Sequence, residues 1–222
     1  MRFQKQMLAL FGEKLFPVPS TPVLFNQYKD IDPGFDLPNA AQIRRENLRG
    51  YLLSFGSRPE ILLVGEAAGP RGCRFSGIPF TSERQLERGL LPFPGRRSSL
   101  GETAAYSEVS GTIVWGALLP WFPRFFLWNA VPLHPHRAGE GNSLSIRTPS
   151  RVEIMEFSGM LREISAIIRP SLTVAAGRKA EHALGLIGVE CRYVRHPAQS
   201  GAEEFKAGIK EALGGVLAPS SP

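Results

Sequence analysis

The sequence predicts an α/β protein, a three-layer α/β/α sandwich around a central, mainly parallel four-stranded sheet. Three observations carry this. Four short apolar runs, at about 60–67, 125–131, 171–176 and 189–194, have the length of strands, and most lack polar alternation, as in strands covered on both faces. Helical patterns lie between or after these runs, the alternation that builds parallel sheets with helices on both sides. A hydrophobic fraction of 43% and a charged fraction of 21% over 222 residues describe one globular domain with extensions.

The elements follow in order. Residues 1–16 read as a short amphipathic helix, stopped by Pro17-Val18-Pro19-Ser20-Thr21-Pro22. Residues 30–38 are turn-rich. A helix is expected over 40–55, with Arg44, Arg45 and Arg49 read as a solvated face in preference to a DNA contact. This organisation assigns 1–59 to an N-terminal extension packed on the domain, 60–213 to the α/β domain and 214–222 to a flexible tail ending in Pro219-Ser220-Ser221-Pro222.

The stretch 60–84 organises the rest. Its strand Ile61-Leu62-Leu63-Val64 stops at Gly65-Glu66-Ala67-Ala68-Gly69, a turn of small residues whose only charged side chain is Glu66. Such a turn lets a ligand approach the backbone, and an open α/β sheet places its ligands at this end of a strand. The same residues equally suit a tight turn before a helix. Ser76-Gly77-Ile78-Pro79-Phe80-Thr81-Ser82-Glu83 then presents an aromatic ring on a loop stiffened by glycine and proline.

Residues 85–100 read as loop or short helix, preceded by Arg84 and carrying Arg88, Arg96 and Arg97, and a helix is expected within 104–121, ending before Pro120. Phe125-Phe126-Leu127-Trp128-Asn129-Ala130-Val131-Pro132 is a buried strand with an amide near its carboxyl end. That amide either satisfies nearby backbone groups or is kept for a ligand, since leaving it unpaired costs about 1–3 kcal/mol. His134 and His136 lack a third ligand in register, so they read as loop residues that could face phosphate and not as a metal site.

Ser150-Arg151-Val152-Glu153 is a capping box opening a helix to Ile168. A strand over 171–176 ends at Gly177. The helix that follows begins with Arg178 and Lys179, and its free N–H groups are either a phosphate site or a plain strand-to-helix turn. The fourth strand, 189–194, runs into Arg195-His196-Pro197-Ala198-Gln199-Ser200-Gly201 and a helix over 202–213.

A net charge of +6 and a pI near 9.7 favour a polyanionic partner. Cys73 and Cys191 are far apart in sequence and form neither a zinc-ligand spacing nor a disulfide framework. The apolar run 7–11 is too short for a signal peptide, and no run reaches transmembrane length. A cytoplasmic monomer without membrane association is therefore expected.

Gly65-Glu66-Ala67-Ala68-Gly69 with Gly77-Ile78-Pro79-Phe80 resembles the first motif of the uracil-DNA glycosylase superfamily, closest to the branch whose motif reads GEAPG. Ala68 stands where that branch has proline, and Ala67 where the best-known branch has its catalytic aspartate. Asn129 to His136 resembles the family's base-reading strand, residues 142–149 its Asn-Arg-x-Pro segment, and His196-Pro197-Ala198 its His-Pro-Ser motif, with alanine for serine. The resemblance implies excision of uracil from DNA. Glu66 and His196 would be catalytic, and Gly65, Ala67, Phe80 and Asn129 would contact the base. Gly177, Arg178, Lys179, Arg195, Pro197 and Gln199 would contact DNA. No cofactor is implied, because two cysteines cannot supply the four thiolates of the branch's iron–sulfur cluster. The alternatives are a glycosylase for another deaminated or mismatched base (hypoxanthine, xanthine, thymine) and a catalytically weak DNA-binding relative.

Overall fold

The strand Ile61–Ala67 (β2) sits at the middle of the molecule because every residue from Ile61 to Gly65 is buried and both of its edges are paired. The computed structural model describes residues 2–101, 105–139 and 144–214. Together with Phe125–Val131 (β3), Leu172–Ala176 (β5) and Arg192–Val194 (β6), β2 forms a four-stranded parallel sheet in the order β3-β2-β5-β6. The register sets Gly65 directly opposite Asn129 and Ile61 opposite both Phe125 and Leu172. All strand carboxyl ends therefore emerge on one side.

Period-two alternation divides β3 between the two faces of the sheet. On one, Phe11 of the helix Arg2–Lys14 (α1) stacks on Trp128 at 4.7 Å between ring centroids, and α1 packs beside the helix Arg151–Ile168 (α6). On the other, Phe125 meets Trp115 of the helix Val109–Leu118 (α5) at 5.5 Å. The outer edge of β3 is covered by the helix Ala40–Leu53 (α2), whose Tyr51 hydroxyl accepts the Leu127 N–H at 2.9 Å. That contact satisfies one backbone N–H on the sheet's edge. Phe3, Phe11, Leu48 and Tyr51 belong to the same core cluster as the sheet, so residues before the central strand contribute to one core. The helices Arg178–Leu186 (α7) and Ala202–Gly214 (α8) pack on β5 and β6 respectively. The tail 215–222 lies outside the described residues, as do residues 102–104 and 140–143.

Three local expectations need correction. Arg44 is not on a solvated face. It is fully buried and shares the carboxylate of buried Asp36 with Arg74, which donates to both Asp36 oxygens at 2.9 and 3.0 Å. The charges tolerate burial because they are multiply satisfied. Arg44 also donates to Ser98 Oγ at 2.9 Å and to the Gln27 carbonyl at 3.2 Å, and the Arg74 guanidinium lies over the rings of Phe25 and Phe75. Burial, then the neighbouring Arg74, still pulls the Arg44 guanidinium down to about 10.

The basic stretch after Phe80 is short helix and loop, as its sequence reads, and is fixed in place. A short helix, Glu83–Glu87 (α4), is followed by chain whose Ser98 and Ser99 N–H groups both donate to the buried Glu83 carboxylate, at 2.5 and 3.0 Å. His134 is not a phosphate-facing loop residue. It lies fully buried in the strand His134–Pro135 (β4), paired antiparallel with Leu24–Phe25 (β1). Finally, β6 covers only Arg192–Val194, because the Val189 N–H closes the end of α7 on Leu184.

Candidate active site

A cavity of about 640 Å³ opens at the carboxyl ends of the four strands. Glu66 and Ala67 reach it from β2, Asn129 from β3, Gly177 from the turn after β5, and Arg195 and His196 from the chain after β6. Phe80, Arg178, Lys179 and Gln199 complete the residues that the sequence nominated and the fold brings together. Gly65 and Pro197 are buried and do not line the cavity.

Gly65 acts instead by what it lacks. A Cβ there would overlap Phe80 Cζ and come within 2.7 Å of Phe80 Cε2 and 2.8 Å of Asn129 Oδ1. The bare Cα of β2 is the floor on which the phenylalanine ring and the amide both rest. Asn129 is 2% exposed, and among the described residues its amide makes no hydrogen bond. The structural alternative raised by the sequence, an amide spent on local backbone groups, is therefore not what the fold uses.

Phe80 is 6% exposed and adopts a left-handed backbone, φ 54°, that a phenylalanine does not choose freely. The surrounding loop imposes it. Ser76 Oγ donates to the Thr81 carbonyl at 2.6 Å, Trp115 Nε1 donates to Thr81 Oγ1 at 3.0 Å, and Gly111 lets the Phe80 carbonyl press against α5. Strain of this kind, roughly 1–3 kcal/mol, persists where surrounding contacts over-determine it.

His196 faces Phe80 across the cavity, with ring centroids 6.3 Å apart. Its Nδ1 accepts the Ala198 N–H at 3.1 Å, which leaves the proton of a neutral ring on Nε2. Burial, and then Arg195, hold the imidazolium below its ordinary range, so the ring is neutral at pH 7. Glu66 is half-buried, and burial raises its carboxyl above the ordinary range while Lys179 pulls the other way. Arg178 at the start of α7 lies over the Tyr193 ring at 3.9 Å and pairs with Glu181 at 2.7 Å.

Several lining residues escaped the sequence reading: Glu108, Ser110, Arg137, Ile146 and Tyr193. Glu108 sits in a stretch of mixed pattern and carries no local signal. Arg147, part of the Asn-Arg-x-Pro resemblance, also reaches the cavity wall. Its guanidinium is spread over the Glu153 carboxylate and the carbonyls of Val23 and His136, so it ties β1, the chain after β4 and the start of α6 together. His134 has a parallel task, with its Nδ1 2.8 Å from the Ala68 carbonyl of the turn after β2.

The family model that matches the chain is the uracil DNA glycosylase superfamily, over residues 53–218. The chain belongs to that superfamily. Membership makes it a DNA glycosylase by family, and it places the matched region over the sheet and every strand end that builds the cavity. Among solved structures, that of wild-type Pedobacter heparinus SMUG2 shares the fold with a TM-score of 0.67 at 15% identity, covering 97% of each chain. No curated protein matches. An iron–sulfur cluster of the kind borne by the GEAPG branch does not fit this member. Its only thiols are the buried Cys73 and the half-buried Cys191, and no group of three His, Cys, Asp or Glu residues suited to a metal occurs among the described residues. Among the described residues, no helix is long and apolar enough to cross a membrane.

Proposed function

We propose that this glycosylase hydrolyses the N-glycosidic bond of deoxyuridine in DNA, releasing uracil and leaving an abasic site. The observation that carries the reading is the Asn129 amide. It is buried, without a hydrogen bond among the described residues, and set beside Phe80 above a glycine floor. A buried amide left in this state asks for a ligand with one donor and one acceptor side by side. Uracil N3–H and O4 are such a pair, met by the amide oxygen and the amide NH2 respectively.

A stacked base cannot reach this cavity, so the nucleotide is extruded at a cost of a few kcal/mol, offset by stacking and edge contacts. Phe80 stacks on the extruded ring. His196 donates from Nε2 to uracil O2, and that bond strengthens as the C1′–N1 bond breaks and the electron pair moves onto the base. A donor aimed at developing charge contributes about 2.7–4 kcal/mol. Glu66 in its ionised form orients the attacking water or stabilises the cationic sugar. Arg178, Lys179, Arg195 and Gln199 hold backbone phosphates, aided by the N–H groups at the start of α7 beside Gly177. The protein needs no cofactor for these steps and works as a monomer in the cytoplasm.

Competition among duplexes carrying uracil, hypoxanthine, xanthine or a mismatched thymine tests the substrate. Uracil is expected to be excised in preference to the others. Preferential loss of one of the other bases would overturn the assignment.

A further inference from the structure

The roles above leave one acid of the cavity unused. Glu108 stands at the N-terminal end of α5 with extended backbone, φ −120° and ψ 123°, and its carboxyl reaches across to the turn that follows β2. There it rests against two glycines: a Cβ at Gly69 would overlap Oε1, and a Cβ at Gly72 would overlap Oε2 and stand 2.7 Å from Oε1. Both positions must be bare for the carboxyl to lie where it does. Among the described residues it accepts no hydrogen bond and forms no ion pair. Glu108 lines the same cavity as Asn129 and Phe80.

We infer that Glu108 touches the extruded base and donates a hydrogen bond from its carboxyl O–H to a carbonyl oxygen of that base. The inference deepens the glycosylase reading and rests on it. Deamination replaces an exocyclic amino donor by a carbonyl acceptor, so a donor held in place accepts the deaminated base and confronts the parent base with a second donor. Two donors from opposite walls, the Asn129 amide and the Glu108 hydroxyl, then read the base.

The surroundings favour the protonated form of Glu108. Burial pushes its carboxyl up to about 7, with no cation to offset it. The Cys73 thiol behind the turn is pushed up to about 12 and stays neutral. Glu66 faces the cavity from β2 with Lys179 as its counter-charge. His196 is held neutral across the cavity. Arg137, Arg147, Arg178 and Arg195 line the wall, and Arg71 on the turn is exposed. DNA closing over the mouth removes further water and favours the neutral acid still more.

The sign follows. The active form is protonated, so excision falls as pH rises through the Glu108 value, while Glu66, raised, and His196, lowered, govern the acid side. The test compares Glu108→Gln and Glu108→Ala with the parent in single-turnover excision from about pH 5.5 to 9. Affinity for a duplex carrying non-cleavable 2′-fluoro-2′-deoxyuridine is measured across the same range. Glutamine keeps a donor that does not titrate, so Glu108→Gln is expected within about threefold of the parent at low pH and without the alkaline fall. Glu108→Ala should lose roughly tenfold or more in both rate and affinity, the size of one hydrogen bond. An inactive but folded Glu108→Gln would mean the carboxylate is needed, and an unchanged alkaline fall in either variant would mean another group titrates. Each result overturns the inference. If the parent prefers another carbonyl-bearing base, the comparison is repeated with that base, so uracil specificity can fail while the Glu108 assignment stands. If the parent excises no base, the pH dependence of non-cleavable duplex binding and its loss in Glu108→Gln decide.

Discussion

Replacing Gly65 by alanine adds one methyl group where the fold has no room for it. The new Cβ would overlap Phe80 Cζ and approach Phe80 Cε2 to 2.7 Å and Asn129 Oδ1 to 2.8 Å. Unstrained carbon contacts lie at about 3.5–4.0 Å, so the ring and the amide must each retreat by roughly 1 Å. Gly65 has no positive φ, so the backbone accepts alanine and the whole effect comes from this crowding. Overpacking of this kind costs about 1–3 kcal/mol, a melting-temperature loss of several degrees in a chain of this size. Displacing two substrate contacts by about 1 Å is expected to slow excision about 10²-fold. Single-turnover excision from a uracil duplex, read as alkali-labile sites, with a thermal melt alongside, measures both. Gly116→Ala on α5, where an added Cβ meets nothing within 4 Å, should leave the rate unchanged and supplies the control. A Gly65→Ala variant with parental rate and melting temperature would refute the account of Phe80 and Asn129 resting on Gly65.

Three further outcomes follow from the site. Asn129→Asp removes the donor to uracil O4, so uracil excision should drop by about 10³-fold or more while slight action on cytosine appears; product analysis on both substrates reads this. His196→Ala should lower the single-turnover rate by roughly 10²–10³-fold with little loss in affinity for a non-cleavable duplex, because its hydrogen bond strengthens only as the base departs. Equal losses would make it a binding residue. Affinity for DNA should fall with salt along a log–log slope of about −3, one phosphate each for Arg178, Lys179 and Arg195, and a flat line would remove those contacts from the interface.

The sheet was legible because parallel strands covered on both faces have no polar alternation. Ile61–Ala67, Phe125–Val131 and Leu172–Ala176 stand where the apolar runs place them, and β6 is the exception. As an edge strand with exposed Arg192 and Tyr193 it has one face in water, so its sequence carries a weaker pattern. The cavity follows from the same logic, since Glu66, Asn129 and His196 lie near or just past the carboxyl ends of different parallel strands. What could not be read locally depends on partners distant in sequence. Arg44 has the spacing of a surface residue, and only Asp36, Arg74 and Ser98 folding around it make it a buried charge. His134 is buried by its pairing with Leu24–Phe25, more than a hundred residues earlier. Glu108 gains its meaning from Gly69 and Gly72, whose bare backbones leave space for a carboxyl that arrives from another element.

The most direct test of the central claim is strand cleavage by hot alkali after incubation of the wild-type protein with an end-labelled duplex bearing a single uracil. The account predicts one break at the uracil position, free uracil as the released base, and no break in the matched duplex bearing cytosine. Intact uracil strands under single-turnover excess of enzyme, with breaks at another damaged base or at none, would contradict it.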